Sequence, residues 1–439
     1  MKVLHFGNVA MNGYNNAKLL RRLGIDADAI CDEVHLLSQP EWEESDVSGT
    51  YDALLPPGPS VNLGSWKRPD WVRAAHAPRR RPRGYYRLDY GRSLLRALPH
   101  IRSLHAALQL DYAPLRADLG PLTLRDVVAA FRATWMHGLL LGPLHTLFGS
   151  YGLVQAYATH SVPTLVAAPR RPYVAYEHGT MRELPFTDTW QGRMLSVSYR
   201  RAGKVIITNA DVRDAAERLR LENTVFVPHP VDETKYSPGE SRLGAELRAQ
   251  GYDPILLAPA RHDWREKAND TMIRAFARVV MDRPRALLIL TAWGVDVPRT
   301  KTLAAELGVA GNVRWFPPLP KRQLTDAYRG ADVVLDQFVF GTFGGIAPEA
   351  MACGRPVVLA FDPELHRWCF PELPPVVAAR TEAEIAGTLE RLASDSAERN
   401  RIGAAARAWI ERHHGWRLVA ERQKAVYEEL LARPANATA

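Results

Sequence analysis

Cysteine is scarce in this sequence: Cys31, Cys353 and Cys369 are the three present among 439 residues, and they are widely spaced. This spacing excludes a disulfide scaffold and a Cys-X-X-Cys metal cluster, and it suits a reducing cytosol. The sequence also lacks a run of the ~18 consecutive apolar residues that a membrane span needs. The apolar run at its amino terminus is too short for a signal peptide and has no small-residue cleavage site. We therefore expect a cytoplasmic protein.

Acidic residues are outnumbered, at 48 Asp and Glu against 56 Lys and Arg. The excess is concentrated at residues 65–105, where eleven Lys and Arg residues stand against Asp70 and Asp89, with Trp66, Trp71 and tyrosines between them. An anionic membrane surface would attract such a segment. A solvated insertion whose arginines pair with distant acids explains the pattern equally well. A segment that binds nucleic acid would have a similar composition, but this is the interpretation that we favour least.

The length is about three times the ~150 residues of a typical domain, which predicts two domains. We place an amino-terminal domain at 1–232, with a basic insertion at about 40–110. A segment rich in proline, glycine and charge, 233–252, is the predicted hinge. A second domain follows at 253–415, and the carboxy-terminal helix 416–439 closes the chain.

Short apolar strands alternate with helical patterns in both halves, which predicts α/β domains with parallel sheets covered on both faces. Domains of this kind bind ligands in a cleft at the carboxyl ends of their strands. The predicted strands are Lys2–Phe6, Asp28–Ile30, Tyr173–Tyr176, Val205–Thr208, Val225–Val227, Ile255–Pro259, Ala286–Thr291, Val313–Phe316, Val333–Asp336, Val357–Ala360 and Val376–Ala378.

The most informative segment, 336–358, reads as strand, glycine-containing loop, helix, sharp turn and strand. Gly341, Gly344 and Gly345 would allow close backbone approach and positive φ angles. They precede a helix whose free N–H groups would attract a phosphate. Glu349, about one turn inside that helix, has a carboxylate that could accept hydrogen bonds from two vicinal hydroxyls, as on a ribose. Tight helix–strand packing, with Glu349 as a surface acid, is the alternative.

Two further segments predict side chains at the same cleft. Arg261 leaves the end of a strand, and Lys267 follows it by six residues. Two fixed cations would stabilise the charge that develops on a diphosphate as its ester bond breaks, although surface cations are common. Glu177 and His178 end a strand of the first domain and are predicted to face this cleft, although a lone histidine is often structural.

These segments, in this order, resemble the retaining nucleotide-sugar glycosyltransferases of family GT4, which have the GT-B fold of two facing Rossmann-like domains. The family signature is a Glu, a short Gly-Phe-Gly stretch and a second Glu eight residues after the first, followed by Ala-Met-Ala-X-Gly-X-Pro-Val. Glu349 matches the second Glu, and the tail 350–358 matches closely. The first Glu falls on Gly341. The family's interdomain Pro-Asn-Gly-Val-Asp resembles 228–232, and its amino-terminal glycine loop resembles 7–13.

The resemblance implies that the carboxy-terminal helix packs back on the first domain and that no metal or other cofactor is needed. It implies that Arg261 and Lys267 bind the diphosphate and that the backbone near Phe343, Gly344 and Gly345 contacts the diphosphate or the donor sugar. Glu349 would bind the ribose, and His178 would lie beside the anomeric carbon. Gly7, Asn8 and Gly13 would form an acceptor or donor loop. Asp336 at a strand end is our hypothesis for the carboxylate missing at position 341.

The sequence therefore predicts an enzyme that moves a sugar from a nucleotide-sugar donor to a glycan or lipid-linked acceptor, with retention of configuration. Cell-envelope polysaccharide or glycoconjugate synthesis is the expected setting, at the inner face of the membrane. A binding protein that has lost catalysis together with the first Glu is the main alternative. A GT-B epimerase or phosphorylase would not be expected to have Glu349 followed by the tail 350–358. A dinucleotide-dependent oxidoreductase is disfavoured, because 7–13 lacks Gly-X-Gly-X-X-Gly.

Overall fold

The computed structural model describes residues 1–74, 99–141 and 144–432. The amino-terminal half contains a seven-stranded parallel sheet, ordered β5-β2-β1-β6-β7-β8-β9, and a small antiparallel pair, β3 and β4. Its strands are β1 (Lys2–Phe6), β2 (Asp26–Cys31), β3 (Ser48–Gly49), β4 (Val61–Asn62), β5 (Val72–Ala74), β6 (Leu153–Tyr157), β7 (Tyr173–Glu177), β8 (Lys204–Ile207) and β9 (Thr224–Phe226). The central strands are buried throughout, as expected of a sheet covered on both faces.

Helices cover this sheet, and its strand order reverses between β1 and β6. The helices of this half are α1 (Asn12–Arg22), α2 (Pro40–Glu44), α3 (99–112), α4 (Arg116–Leu119), α5 (Leu124–Leu141), α6 (Leu144–Gly149), α7 (Ser161–Ala167), α8 (Trp190–Arg201) and α9 (Arg213–Arg218). The reversal leaves a crevice at the carboxyl ends of β1 and β6, where ligands bind in open α/β sheets.

The carboxy-terminal half contains a six-stranded parallel sheet ordered β12-β11-β10-β13-β14-β15, with its reversal between β10 and β13. The strands are β10 (Ile255–Ala258), β11 (Leu287–Thr291), β12 (Val313–Phe316), β13 (Val333–Leu335), β14 (Val357–Leu359) and β15 (Val377–Ala378). The helices are α10 (Arg242–Ala249), α11 (Trp264–Lys267), α12 (Asn269–Asp282), α13 (Val297–Glu306), α14 (Lys321–Gly330), α15 (Ile346–Ala352), α16 (Pro363–His366), α17 (Glu382–Ser394), α18 (Ser396–His413) and α19 (Trp416–Ala432).

The last helix, α19, returns to the amino-terminal domain. Its apolar face shares a buried cluster with α1 and with the first sheet. Tyr427 donates a hydrogen bond to Gln155 of β6 at 2.6 Å, and Gln423 donates one to Asn16 of α1. The α/β fold of two Rossmann-like domains, with the final helix packed on the first, is therefore as predicted.

Two segments differ from their sequence-based description. The predicted hinge, 233–252, contains α10, which packs so closely on α14 that a Cβ on Gly244 would lie 2.6 Å from the Gly330 Cα. The basic insertion contributes β5 to the edge of the first sheet, parallel to β2. Trp66 and Trp71, counted among residues that could face a membrane, pack against the Tyr14 ring. Residues 75–98, which hold most of the predicted basic segment's arginines, lie outside the described residues.

Candidate functional site

A cavity of about 810 Å³ lies between the two domains, where loops from the carboxyl ends of both sheets meet. Residues 178–180, 182–184 and 209 line it from one domain, and residues 259, 261, 266, 267, 337, 340, 342–346, 348 and 349 line it from the other. Seven residues that the sequence singled out share this lining: His178, Arg261, Lys267, Phe343, Gly344, Gly345 and Glu349. Gly7, Asn8, Gly13 and Asp336 are not part of the lining.

Lys267 stands apart from the other cations of the cavity. It ends α11, and Ala268 follows in the left-handed region at φ 51°, which turns the chain into α12. Its ammonium lies 5.9 Å from the Phe340 ring and forms no salt bridge with a described residue. Each of the other lining cations has an acidic partner: Lys18 with Glu44, Arg182 with Asp211, Arg261 with Glu266, and Lys321 with Glu349. Lys267 is thus the cation most available to an anionic ligand.

Glu349 is held at the cavity wall by two neighbours. Lys321, the first residue of α14, donates to its Oε1 at 2.5 Å, and the Tyr328 hydroxyl donates to its Oε2 at 3.1 Å. Burial alone would lower the pKa of Lys321, but the carboxylates of Glu349 and Glu43 outweigh it and raise this pKa. Lys321 therefore stays charged. This contact was not predicted, because 28 residues separate the two partners along the chain.

The glycine loop does not use the left-handed backbone conformations that its glycines would allow. None of Gly341, Gly344 and Gly345 has a positive φ. A Cβ on Gly344 or Gly345 would meet no atom within 4 Å, which leaves their backbone open to the cavity. A Cβ on Gly341 would lie 2.5 Å from the Asp362 Cβ. Gly341 is therefore required by its packing against α16, and a side chain there would point toward Asp362 and Leu365.

Asp336 lies beneath this loop rather than in the cavity wall. It follows β13, is 4% exposed, and its Oδ2 has no hydrogen-bond partner among the described residues. Burial raises the pKa of Asp336, opposed in part by the charge of Lys267 and by the Gly344 amide. The strand end turns this side chain inward, so the structure places it as a support for the loop and for Lys267.

On the opposite wall, His178 and Glu177 have different surroundings. His178 lines the cavity, and burial lowers its pKa despite the opposing effect of Glu177. Its imidazole is therefore neutral at pH 7. Glu177 is fully buried: its carboxylate accepts hydrogen bonds from the amides of Gly179 and Met181 and from the Tyr199 hydroxyl. The prediction that Glu177 faces the cleft was wrong, because this carboxylate holds the turn that carries His178.

The amino-terminal glycine loop borders the cavity, but not through the residues that were predicted. Gly7 has φ 94°, and a Cβ there would lie 2.5 Å from the His160 ring. A Cβ on Gly13 would lie 2.0 Å from the Gly7 carbonyl oxygen. Asn8 is buried and donates to the Ser38 carbonyl. These three residues shape the turn, while Ala10 and Asn12 are the loop residues that line the cavity.

One group near this loop has the residue types of a metal site. Asp32, Glu33 and His160 each offer a ligand atom within 4.8 Å of the others. His160 Nε2 lies 2.8 Å from Asp32 Oδ2, and its Nδ1 lies 3.1 Å from the Tyr157 carbonyl oxygen. Both partners are acceptors, so both ring nitrogens carry a proton. Burial lowers the pKa of His160, but Asp32 outweighs it and raises that pKa to about 9. In the metal-free protein, His160 and Asp32 therefore form a buried ion pair.

Comparison with known families bears on the class of protein. Residues 244–409 match the family model described as glycosyl transferases group 1. This match confirms the predicted resemblance over the carboxy-terminal domain and supports the predicted enzyme class, a glycosyltransferase. Two curated relatives are named D-inositol 3-phosphate glycosyltransferase. The chain is 34% identical to that of Saccharomonospora viridis over 169 residues, 35% of this chain and 39% of the relative. It is 32% identical to that of Streptomyces bingchenggensis over 222 residues, 47% and 48% of the two chains.

The chain thus spans less than half the length of either relative. Solved structures cover more of it. Anabaena Alr3699/HepE in complex with UDP covers 98% of this chain and 100% of its own at a TM-score of 0.65 and 14% identity. Sucrose-phosphate synthase from Thermosynechococcus elongatus gives the same coverage at a TM-score of 0.63 and 17% identity. These similarities confirm the predicted GT-B fold.

Proposed function

We propose that this protein transfers a sugar from a nucleotide-sugar donor to an acceptor bound in the interdomain cavity. The observation that carries the proposal is that Lys267 and Glu349 line one wall of a single cavity while His178 lines the facing wall. Lys267, with Arg261 beside it, would bind the diphosphate. Glu349 would accept hydrogen bonds from the ribose hydroxyls, and His178 would contact the donor sugar.

In this proposal the reaction retains the anomeric configuration and needs no metal. The acceptor hydroxyl attacks the anomeric carbon on the face that the diphosphate leaves, and a phosphate oxygen takes the hydroxyl proton. The charge that develops on the leaving phosphate would be stabilised by Lys267 and Arg261. A neutral His178 imidazole, kept so by burial, would donate a hydrogen bond to the sugar.

The first test is a thermal-shift panel of nucleoside diphosphates and nucleotide sugars, because a ligand that binds the folded state raises the melting temperature. UDP and UDP-glucose come first, since a structural relative has been solved in complex with UDP-glucose. Release of UDP from UDP-glucose is then measured with wild-type protein and Lys267→Ala. We expect release by the wild type alone. Equal release by both proteins would reject the assignment of this cavity.

A second candidate is a nucleotide-sugar-binding protein without turnover. It is favoured by one observation, the close packing of Gly341 against Asp362, which leaves no room for the family's first Glu. Such a protein would show the thermal shift with UDP but no release of UDP from any donor in the panel.

We further propose a lipid-linked acceptor in cell-envelope polysaccharide or glycoconjugate synthesis, reached from the cytoplasmic membrane surface. Lys67 and Arg73 of the basic segment are exposed, whereas Arg68 is paired with Glu41 at 2.7 Å. No helix among the described residues is long and apolar enough to cross a membrane. Flotation with anionic vesicles should retain the protein at low salt, and neutral vesicles should not. Equal recovery from both would reject the membrane contact.

A further inference from the structure

His229 lines the cavity without having been predicted as a site residue. It lies just after β9, on the segment where the chain leaves the first sheet, and it sits between two residues of the amino-terminal domain, Asn12 and Tyr176. The Asn12 carboxamide N–H donates to the Val9 carbonyl at 3.0 Å, which fixes how this amide points. Its oxygen therefore faces His229.

This contact settles where the imidazole proton lies. Asn12 Oδ1 is 3.2 Å from His229 Nδ1, and the Tyr176 hydroxyl is 3.5 Å from the same nitrogen. Because Asn12 Oδ1 can only accept, Nδ1 must carry the proton. In a neutral imidazole the other nitrogen, Nε2, then keeps its lone pair.

The surroundings keep this ring neutral. Burial, together with the nearby His178, His414 and Arg182, lowers the pKa of His229 to about 3. Nε2 forms no hydrogen bond with any of the described residues. It is not one of the fully buried atoms that lack a partner, so it is accessible from the cavity. The ring thus presents an acceptor of fixed orientation in the cavity wall.

We infer that His229 Nε2 accepts a hydrogen bond from a hydroxyl of the sugar acceptor and so orients the attacking oxygen. The inference rests on the proposed function and deepens it, because it assigns an acceptor contact to this wall of the cavity. The single proton of the reacting hydroxyl passes to the leaving phosphate, so the hydroxyl that donates to His229 is a neighbouring one on the acceptor, and His229 takes no proton. When water is the acceptor, its second O–H makes this contact. An acceptor without a hydroxyl at this point would leave the lone pair unpaired, which disfavours it.

The chain allows a matched pair of variants. Asn in His229→Asn keeps an amide that can contact Asn12 but has no atom at the position of Nε2. Gln in His229→Gln reaches that position with an oxygen that can accept. His35→Asn, at an exposed histidine, is the control. We expect unchanged affinity for UDP in all three. Hydrolysis of UDP-glucose, with water as the acceptor probe, should fall roughly tenfold in His229→Asn and recover in His229→Gln.

A second readout does not depend on activity. Nitrogen-15 NMR of histidine-labelled full-length protein, with the His229 signal identified by its loss in His229→Asn, reports which nitrogen is protonated. We expect the Nδ1–H tautomer, unchanged between pH 6 and pH 8. An Nε2–H tautomer overturns the inference, whatever the rates of UDP-glucose hydrolysis are. The expected tautomer with undiminished hydrolysis in His229→Asn overturns it while leaving the proposed function intact. Wild-type protein that releases no UDP overturns both.

Discussion

Lys321 Nζ donates to Glu349 Oε1 at 2.5 Å and thereby joins the start of α14 to the first turn of α15. With Tyr328 on the other oxygen, the carboxylate is held in one orientation at the cavity wall. A carboxylate that is neutralised and fixed in this way can receive two hydroxyl donors without having to reorganise, which favours recognition of a ribose.

Glu349 should therefore distinguish nucleotides by their ribose. Calorimetric titration of wild type with UDP and with 2′-deoxy-UDP should show weaker binding of the deoxy compound. In Glu349→Ala the affinity for UDP should fall about 10- to 150-fold, the loss of a charge-assisted contact, and the two nucleotides should bind equally. Glu364→Ala, at an exposed acid of α16, should behave as wild type. Preserved discrimination in Glu349→Ala would place the ribose elsewhere.

Lys267 should act on the diphosphate alone. Lys267→Ala should weaken UDP and 2′-deoxy-UDP by a similar factor, about 10- to 150-fold, and should leave uridine unaffected because uridine has no phosphate. Lys301→Ala, at an exposed lysine of α13, is the matched control. A uridine affinity that falls together with that of UDP would mean that the variant disturbs the cavity rather than removing a phosphate contact.

Two neighbouring glycines should respond differently to a methyl group. Gly341→Ala places a Cβ 2.5 Å from the Asp362 Cβ, so the free energy of unfolding should fall by about 1–3 kcal/mol, the usual cost of overpacking. Gly344→Ala meets no atom within 4 Å and should keep the wild-type melting temperature while weakening UDP, because the methyl projects into open space at the cavity. Scanning calorimetry checks both. Equal melting temperatures in the two variants would contradict the packing described at Gly341.

The His160–Asp32 pair should make stability depend on alkaline pH. The pKa of His160 is raised from 6.5 to about 9 in the folded protein. Two further groups act on this pair: Glu33 also raises the pKa of His160, and His137 interacts with Asp32. Its contribution is present in full below pH 6.5 and is lost as pH rises through about 9. That contribution is on the order of 3 kcal/mol.

Asp32→Asn removes the partner, so the melting temperature of this variant should fall less than that of wild type between pH 6 and pH 9.5. Asp26→Asn, at an acid whose side chain is 55% exposed, is the control and should follow wild type. Parallel pH curves for wild type and Asp32→Asn would show that His160 is neutral throughout.

Most of the strands and the order of the two sheets' elements along the chain could be predicted from the sequence alone. The predicted strands β1 and β12 coincide with the structure, because short apolar runs bounded by turn residues leave little choice of element. Short helices such as α10 were missed, since a segment with prolines, glycines and charges has no clear helical period. Long-range contacts decide the rest: which end of a side chain is free, as at His229, or which acid pairs with Lys321, depends on residues more than 20 positions away.

The site was predicted well for residues at the ends of short helices that border the cavity, and less well in the amino-terminal loop and at two strand ends. Lys267 and Glu349 line the cavity as expected. Gly7, Asn8 and Gly13 identified the right loop, but the left-handed turns at Gly7, Ala10 and Met11 direct other residues toward the cavity. Asp336 and Glu177 point inward, because consecutive residues at a strand end face opposite sides of the sheet.

The most direct test of the central claim is a crystal structure of the protein soaked with UDP-glucose. We predict that the diphosphate lies within hydrogen-bonding distance of Lys267, that the ribose hydroxyls contact Glu349, and that the glucose ring lies between these residues and His178. Nucleotide bound outside this cavity, or with its diphosphate away from Lys267, would contradict the account.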